Sequence, residues 1–138
     1  MKFMILTYAS QQDYDAMSGT STEVPSWSGE DFAAMGAFMA ELNRDLDESG
    51  ALVETRALAA PAHTRRVCSP HGQAVVTDGP YAETQEVLAG YWVVECDSFD
   101  QATQIAARLA SCPAPPGSAA RAVADVRPLV EARAELAM

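Results

Sequence analysis

Between Ser28 and Gly50 the chain reads "SGEDFAAMGAFMAELNRDLDESG". Phe32, Met35, Met39, Leu42 and Leu46 step by three and four residues, which puts them on one face of an α-helix. Ser28 can cap its start, Asp31 sits where a capping-box acid reaches back, and Trp27 with Phe32 forms the hydrophobic pair that brackets a helix entry. Gly50 supplies the left-handed residue that stops it. A helix with one apolar face needs a surface to bury it, so the neighbouring segments decide the fold class.

Those neighbours read as strands. "KFMILTY" at 2–8 alternates with both faces mostly apolar, as a central strand does. "ALVETRAL" at 51–58 and "QAVVT" at 73–77 are further strands, joined by "AAPAHTRRVCSPHG", a Pro-containing hairpin connection with room for a short strand at Arg66 to Cys68. "LAGYWVVE" at 88–95 is strongly β-prone, with Gly90 marking a bulge or a close backbone approach. A second helix follows, capped by Asp97 or by Ser98 with Gln101. Its buried face is Ala102, Ile105, Ala106 and Leu109, and Pro113, Pro115, Pro116 and Gly117 stop it. A last strand runs from Arg121 to Leu129. Residues 9–26 show no period and read as a long loop, and 130–138 form a weakly patterned, helix-prone tail.

The order strand, helix, strands, strand, helix, strand predicts an α+β fold: a ferredoxin-like split βαβ antiparallel sheet with two helices on one face and an added hairpin strand. At 138 residues we expect a single domain, 1–138. The sheet's second face, where Tyr8, Val76, Tyr91 or Val93 would lie, needs a cover, and pairing two sheets in a homodimer is the economical one.

The formal net charge of -10 repels phosphate backbones and anionic lipid. This argues against nucleic acid as a partner. The adjacent Arg65 and Arg66 are too small a basic patch to change that. Cys68, Cys96 and Cys112 show no CxxC spacing and an odd count, which argues against a disulfide framework or a zinc site and for a reducing cytoplasm. The apolar start is too short for a signal-peptide core, and no apolar stretch approaches membrane-spanning length. No cofactor motif is present.

The stretch with most chemical content is "TDGPYAETQEVLAGYWVVE", 77–95. Asp78 can cap its own turn while Gly79 supplies an unusual dihedral and Pro80 fixes the next. Alternatively Asp78 is a carboxylate held in a cleft lined by Tyr8, Tyr81, Tyr91 and Trp92, desolvated towards useful general-base values. Glu83 and Glu86 follow, three residues apart. They suit a paired-carboxylate site with Asp78, an ion pair between Glu83 and Arg66, or a local backbone cap; with no His or Cys beside them a metal site is disfavoured. His63 could partner Asp78 if its loop folds back over the cleft, or it is an exposed loop histidine.

The same stretch, extended to Leu109, resembles the central part of the YCII-related superfamily in its DGPF-domain branch: a strand, Asp-Gly-Pro-Phe with Tyr81 in place of Phe, Ala-Glu-Thr, a strand and an acidic-capped helix. "MKFMILTY", "SGALVETRALAAP", "TRRV" and "ADVRPL" extend the likeness over nearly the whole chain. The resemblance implies a dimeric α+β barrel with Asp78 at the edge of an internal cleft, and a small-molecule site. Relatives in the wider superfamily are thought to act through a His-Asp pair, one type on an aromatic lactone-like substrate. DGPF members also resemble accessory proteins of sigma factors.

Met39 stands where such sequences often carry the helix histidine, and neither His63 nor His71 matches a motif position, so that pair does not carry over. The expected site is Asp78, Tyr81 and His63 for acid-base chemistry without a cofactor, with Tyr8, Arg66, Gly79, Pro80, Glu83 and Tyr91 lining the ligand. The alternative is a ligand-sensing or protein-interacting accessory protein without catalysis.

Overall fold

The computed structural model describes residues 1–21, 23–117 and 122–137. Its elements in chain order are β1 (Lys2–Ala9), α1 (Gln11–Ser18), α2 (Gly29–Glu48), β2 (Leu52–Ala57), β3 (Arg65–Cys68), β4 (Val75–Asp78), β5 (Val87–Glu95), α3 (Phe99–Ala110) and β6 (Ala124–Pro128), with short 3-10 turns at Pro61–His63 and Arg133–Ala137. Four strands form one sheet in the order β2-β5-β1-β6, all neighbours antiparallel. That order places the first and third of the four strands at the centre, as a ferredoxin-like sheet requires, and the α+β expectation holds.

Alternation along the central strands sorts the side chains. Phe3 and Ile5 of β1 stand opposite Val94 and Trp92 of β5, and all four are buried against Leu42 and Leu46 of α2 and Ala102, Ala106 and Leu109 of α3. The Trp92 indole N–H donates to Asn43 Oδ1 at 2.9 Å, so the largest core ring keeps its polar atom bonded. Phe38 and Met39 complete the packing from α2. Phe32, by contrast, is exposed and pairs with Trp27 at a ring separation of 5.2 Å, serving the helix entry and not the core. The Ser28–Asp31 capping box is present, with bonds of 2.8 and 3.1 Å, and Gly50 has φ +79°. At α3 it is Ser98 that caps, through the Gln101 amide, while the Gln101 side chain accepts from the Asp97 amide.

Two bulges shape the sheet. Ala89 is the extra residue in β5 opposite the step from Thr7 to Tyr8, and Val53 is the extra residue in β2. Beside the first bulge, Gly90 answers its sequence reading. A Cβ there would lie 3.1 Å from the Arg56 carbonyl oxygen, so a larger residue would press β2 outward by a few tenths of an ångström.

Three expectations change. Residues 11–18 are helical, not loop: Ser10 Oγ accepts from the Asp13 amide, Asp13 Oδ2 accepts from the Ser10 amide, and Gly19 at φ +77° ends the turn. The sheet therefore has three helices around it and not two. The segment buries only Ala16, so it lacks the periodic apolar face that marks a helix in sequence; its caps hold it. The hairpin β3–β4 does not extend the main sheet but forms a separate ribbon, leaving Val76 exposed there and not on the sheet's second face. Of the expected closing strand, 124–128 is observed, while Arg121 lies outside the described residues.

Core and cap should separate in stability. Leu42→Ala removes a fully buried side chain and should cost about 3 kcal/mol, whereas Ser10→Ala, at a buried N-cap, should cost about 1 kcal/mol. Urea denaturation of both variants checks the order; a larger loss for Ser10→Ala would place α1 in the stability core and contradict this architecture.

Candidate functional site

The Asp-Gly-Pro turn is the joint between β4 and the strap that leads to β5. Asp78 sits opposite Arg65 in the β3–β4 register, and the Arg65 Nε–Asp78 Oδ1 distance is 3.2 Å. Gly79 takes φ +54°, and its amide donates to the Thr64 carbonyl at 2.8 Å, so the turn is locked to the segment before β3. The structure places Asp78 in an open hollow with Ala62, His63, Thr64 and Arg65. His63 and Asp78 thus share one hollow, as the sequence allowed.

The aromatic cleft expected around Asp78 is not there. Its side chain is 80% exposed and ion-paired, and Tyr8, Tyr81, Tyr91 and Trp92 all lie elsewhere. The reason is the ribbon: β3 and β4 stand off the main sheet, and their residues are exposed. Tyr81 is half-buried beneath Arg66, whose guanidinium carbon is 5.2 Å from the ring centroid, a cation-π contact in place of a Glu83–Arg66 ion pair. Pro80 is half-buried next to it. Tyr91 lies on the second face of the sheet, and Trp92 on the core face.

Glu83 acts through its backbone, its carbonyl accepting from the Gln12 amide at 3.0 Å. Two further bonds join the same parts of the chain. Gln11 Oε1 accepts from the Ala62 amide at 2.8 Å, and the Tyr14 hydroxyl donates to the Leu58 carbonyl at 2.8 Å. The strap from Leu58 to Glu83 therefore clamps α1 against the end of the sheet.

Behind α1 opens a cleft of about 610 Å³. Tyr8 and Ala9 at the end of β1, Ala16 and Met17 of α1, Val24, Pro25 and Trp27 of the next connection, and Pro115 to Gly117 supply apolar walls. Gln12, Asp13 and Glu86 supply polar groups. Of the expected ligand-lining residues only Tyr8 is here; Glu86, singled out beside Glu83, is here as well and Asp78 is not. The remaining walls went unread because they depend on α1, whose sequence mark is the Ser10-x-x-Asp13 capping box followed by Gly19.

Tyr8 forms the lip of this cleft. Its hydroxyl donates to Asp125 Oδ2 on β6 at 2.8 Å. That bond raises the phenol above its ordinary value near 10, because a phenolate would lose it and face a carboxylate, with burial and Asp125's charge adding in the same direction. Tyr14 is raised too, by burial. Among the described residues no group of three His, Cys, Asp or Glu could hold a metal ion, no helix is long and apolar enough to cross a membrane, and all three cysteines are unpaired.

Sheet order, helices and cleft together define a ferredoxin-like α+β protein with a small-molecule-sized cavity at one end of its sheet. Residues 1–127 match the YCII-related domain, and the chain belongs to that family. It is 30% identical over 104 residues to an uncharacterized protein of Rhizobium meliloti (strain 1021), which covers 75% of this chain and 80% of that protein.

The Tyr8 pair yields a direct test. A phenol whose pKa is raised on folding contributes stability that is complete below the unfolded value near 10 and lost as pH rises through the folded value. In Asp125→Asn the Tyr8 pKa, followed by ring-carbon NMR and assigned with Tyr8→Phe, should fall back towards 10. An unchanged titration would mean that Asp125 does not hold the hydroxyl.

Proposed function

We infer that this YCII-related protein binds a small organic molecule in the cleft between Tyr8 and Trp27, and that it does so as a homodimer. The observation that carries the first part is the cleft itself. Its volume falls within the range of small-molecule sites, and its walls combine aromatic and aliphatic side chains with a few convergent polar groups. The DGPF-like segment enters this reading as scaffold: the turn at Gly79 and the Glu83 carbonyl fix α1, and α1 forms one wall.

Binding is favoured over acid-base turnover by Asp78. Asp78 is 80% exposed, ion-paired to Arg65 and set in an open hollow, with no walls that would hold a substrate against it. Its neighbour His63 is exposed as well. Dimerisation is supported by the second face of the sheet, where Met4, Leu6 and Tyr91 remain partly exposed along the central strands, flanked by Glu54 and Arg56 on β2 and Asp125 and Arg127 on β6. An apolar centre with charged margins of both signs suits a self-complementary contact. The unpaired cysteines fit the reducing cytoplasm that we propose as its compartment.

Both parts are testable in solution. A fragment screen followed by amide chemical shifts should move resonances of Gln12, Met17 and Trp27 together, leaving those of Thr64 and Asp78 in place. Shifts confined to the Asp78 hollow would transfer the site there and overturn this reading. For the dimer, Leu6→Lys puts a charge in the centre of the second face, and sedimentation should report a monomer for the variant against a dimer for the parent. A parent that sediments as a monomer at all concentrations would refute the dimer.

A further inference from the structure

The fold leaves the first half of α2 uncovered. From Phe32 to Ala40 this helix runs through nine residues without a polar side chain, and none of the nine is buried. A helix that is apolar on every side is ordinarily enclosed. Phe38 and Met39 rest on the core and Phe32 on Trp27, but Ala33, Ala37 and Ala40 are exposed. Steps of four and three residues put these alanines on one face, which points away from the buried Leu42 and Leu46. Three residues before Ala33 and four after Ala40 the same face carries Glu30 and Arg44, both exposed. Among the described residues neither side chain takes part in an ion pair or a hydrogen bond.

Glu30 and Arg44 each lie seven residues from Ala37, so the face is opposite in charge at its two ends. A second copy laid antiparallel across it at Ala37 sets Glu30 beside the partner's Arg44 at one end and repeats the pair at the other, with Ala33 against the partner's Ala40 between them. The alanines let the two backbones approach closely, and the charges select this chain as the occupant: reversal of the same sequence brings opposite signs together twice. We propose that this face of α2 is a homotypic interface with Ala37 on its two-fold axis. It stands on the outside of the helix layer and the sheet-face contact on the far side of the sheet, so it adds to the homodimer reading above without resting on it. A single helix pair buries less than a standard interface, which makes this the weaker contact of the two and one that forms at higher protein concentration.

Cysteine linking tests the axis in the full chain. With Cys68→Ser and Cys112→Ser removing the native thiols outside the core, Ala37→Cys should form a disulfide-linked dimer under a mild oxidant, because the residue meets its own copy. Ala34→Cys, exposed on the same helix but off this face, should link at least roughly tenfold more slowly. Both positions are exposed, so neither substitution disturbs the core. Linking through Ala37→Cys should persist when Leu6→Lys removes the sheet-face contact. Arg44→Glu should slow it roughly fivefold, and adding Glu30→Arg should restore it, since both pairs then re-form with their signs exchanged. Equal rates for Ala34→Cys and Ala37→Cys, no linking by either, or a charge swap that restores nothing would overturn the α2 interface and leave the sheet-face dimer standing. Linking that disappears with Leu6→Lys would likewise overturn it as a contact of its own.

Discussion

Everything in this molecule leans on the antiparallel pairing of β1 with β5. Phe3 and Ile5 meet Val94 and Trp92 across that ladder, and both helices of the core close over those four side chains. At roughly 1.5–3 kcal/mol for each large apolar side chain taken out of water, these are the contacts that decide whether the chain folds. The two outer strands add to a frame that this pair has set: β6 presents Ala124 and Val126 to the same core, and β2 approaches β5 closely because Gly90 has no side chain. The bulge at Ala89 then shifts the pleat at the end of β1, so that Tyr8 pairs with Leu88 and reaches Asp125 and the cleft.

Around this frame the wall of the cleft is built from a different kind of interaction. α1 buries a single alanine and could not stand on hydrophobic contact. It is held by its capping box, by a left-handed glycine, and by three hydrogen bonds to the strap between β2 and β5: Gln12 to Glu83, Ala62 to Gln11, and Tyr14 to Leu58. Directional bonds of this sort contribute about 1 kcal/mol each, little beside the core but enough to fix the orientation of a short helix.

The division explains what could be read from the sequence. The core announces itself through period, because Leu42 and Leu46 on one helix and Ala102, Ala106 and Leu109 on another repeat at helical spacing, and the strands alternate. Those elements, the caps at Ser28 and Ser98 and the close approach at Gly90 were legible, and so was the ferredoxin-like order. α1 has no apolar period and shows in the sequence only as a pair of end marks, Ser10 with Asp13 and then Gly19. The site shifted for a related reason. The local sequence leaves Asp78 as either a turn cap or a cleft carboxylate; with β3 and β4 in a separate ribbon, its side chain is exposed and paired to Arg65. The partners of Tyr8 and Arg66, Asp125 and Tyr81, are set by tertiary register and a strap conformation that no local pattern encodes.

The Asp-Gly-Pro segment is then best understood by what it positions. Asp78 closes the ribbon through Arg65, Gly79 turns the chain at a dihedral that a side chain would resist and bonds to Thr64, and the Arg66 guanidinium stacks over Tyr81. Each step fixes the next residue of the strap until the Glu83 carbonyl arrives at the first turn of α1. In doing so it satisfies the amide of Gln12, one of the first-turn helix donors that has no partner within the helix. The same hydrogen bond therefore both satisfies a helix donor and places the wall, so a turn outside the cavity helps determine the cavity's shape.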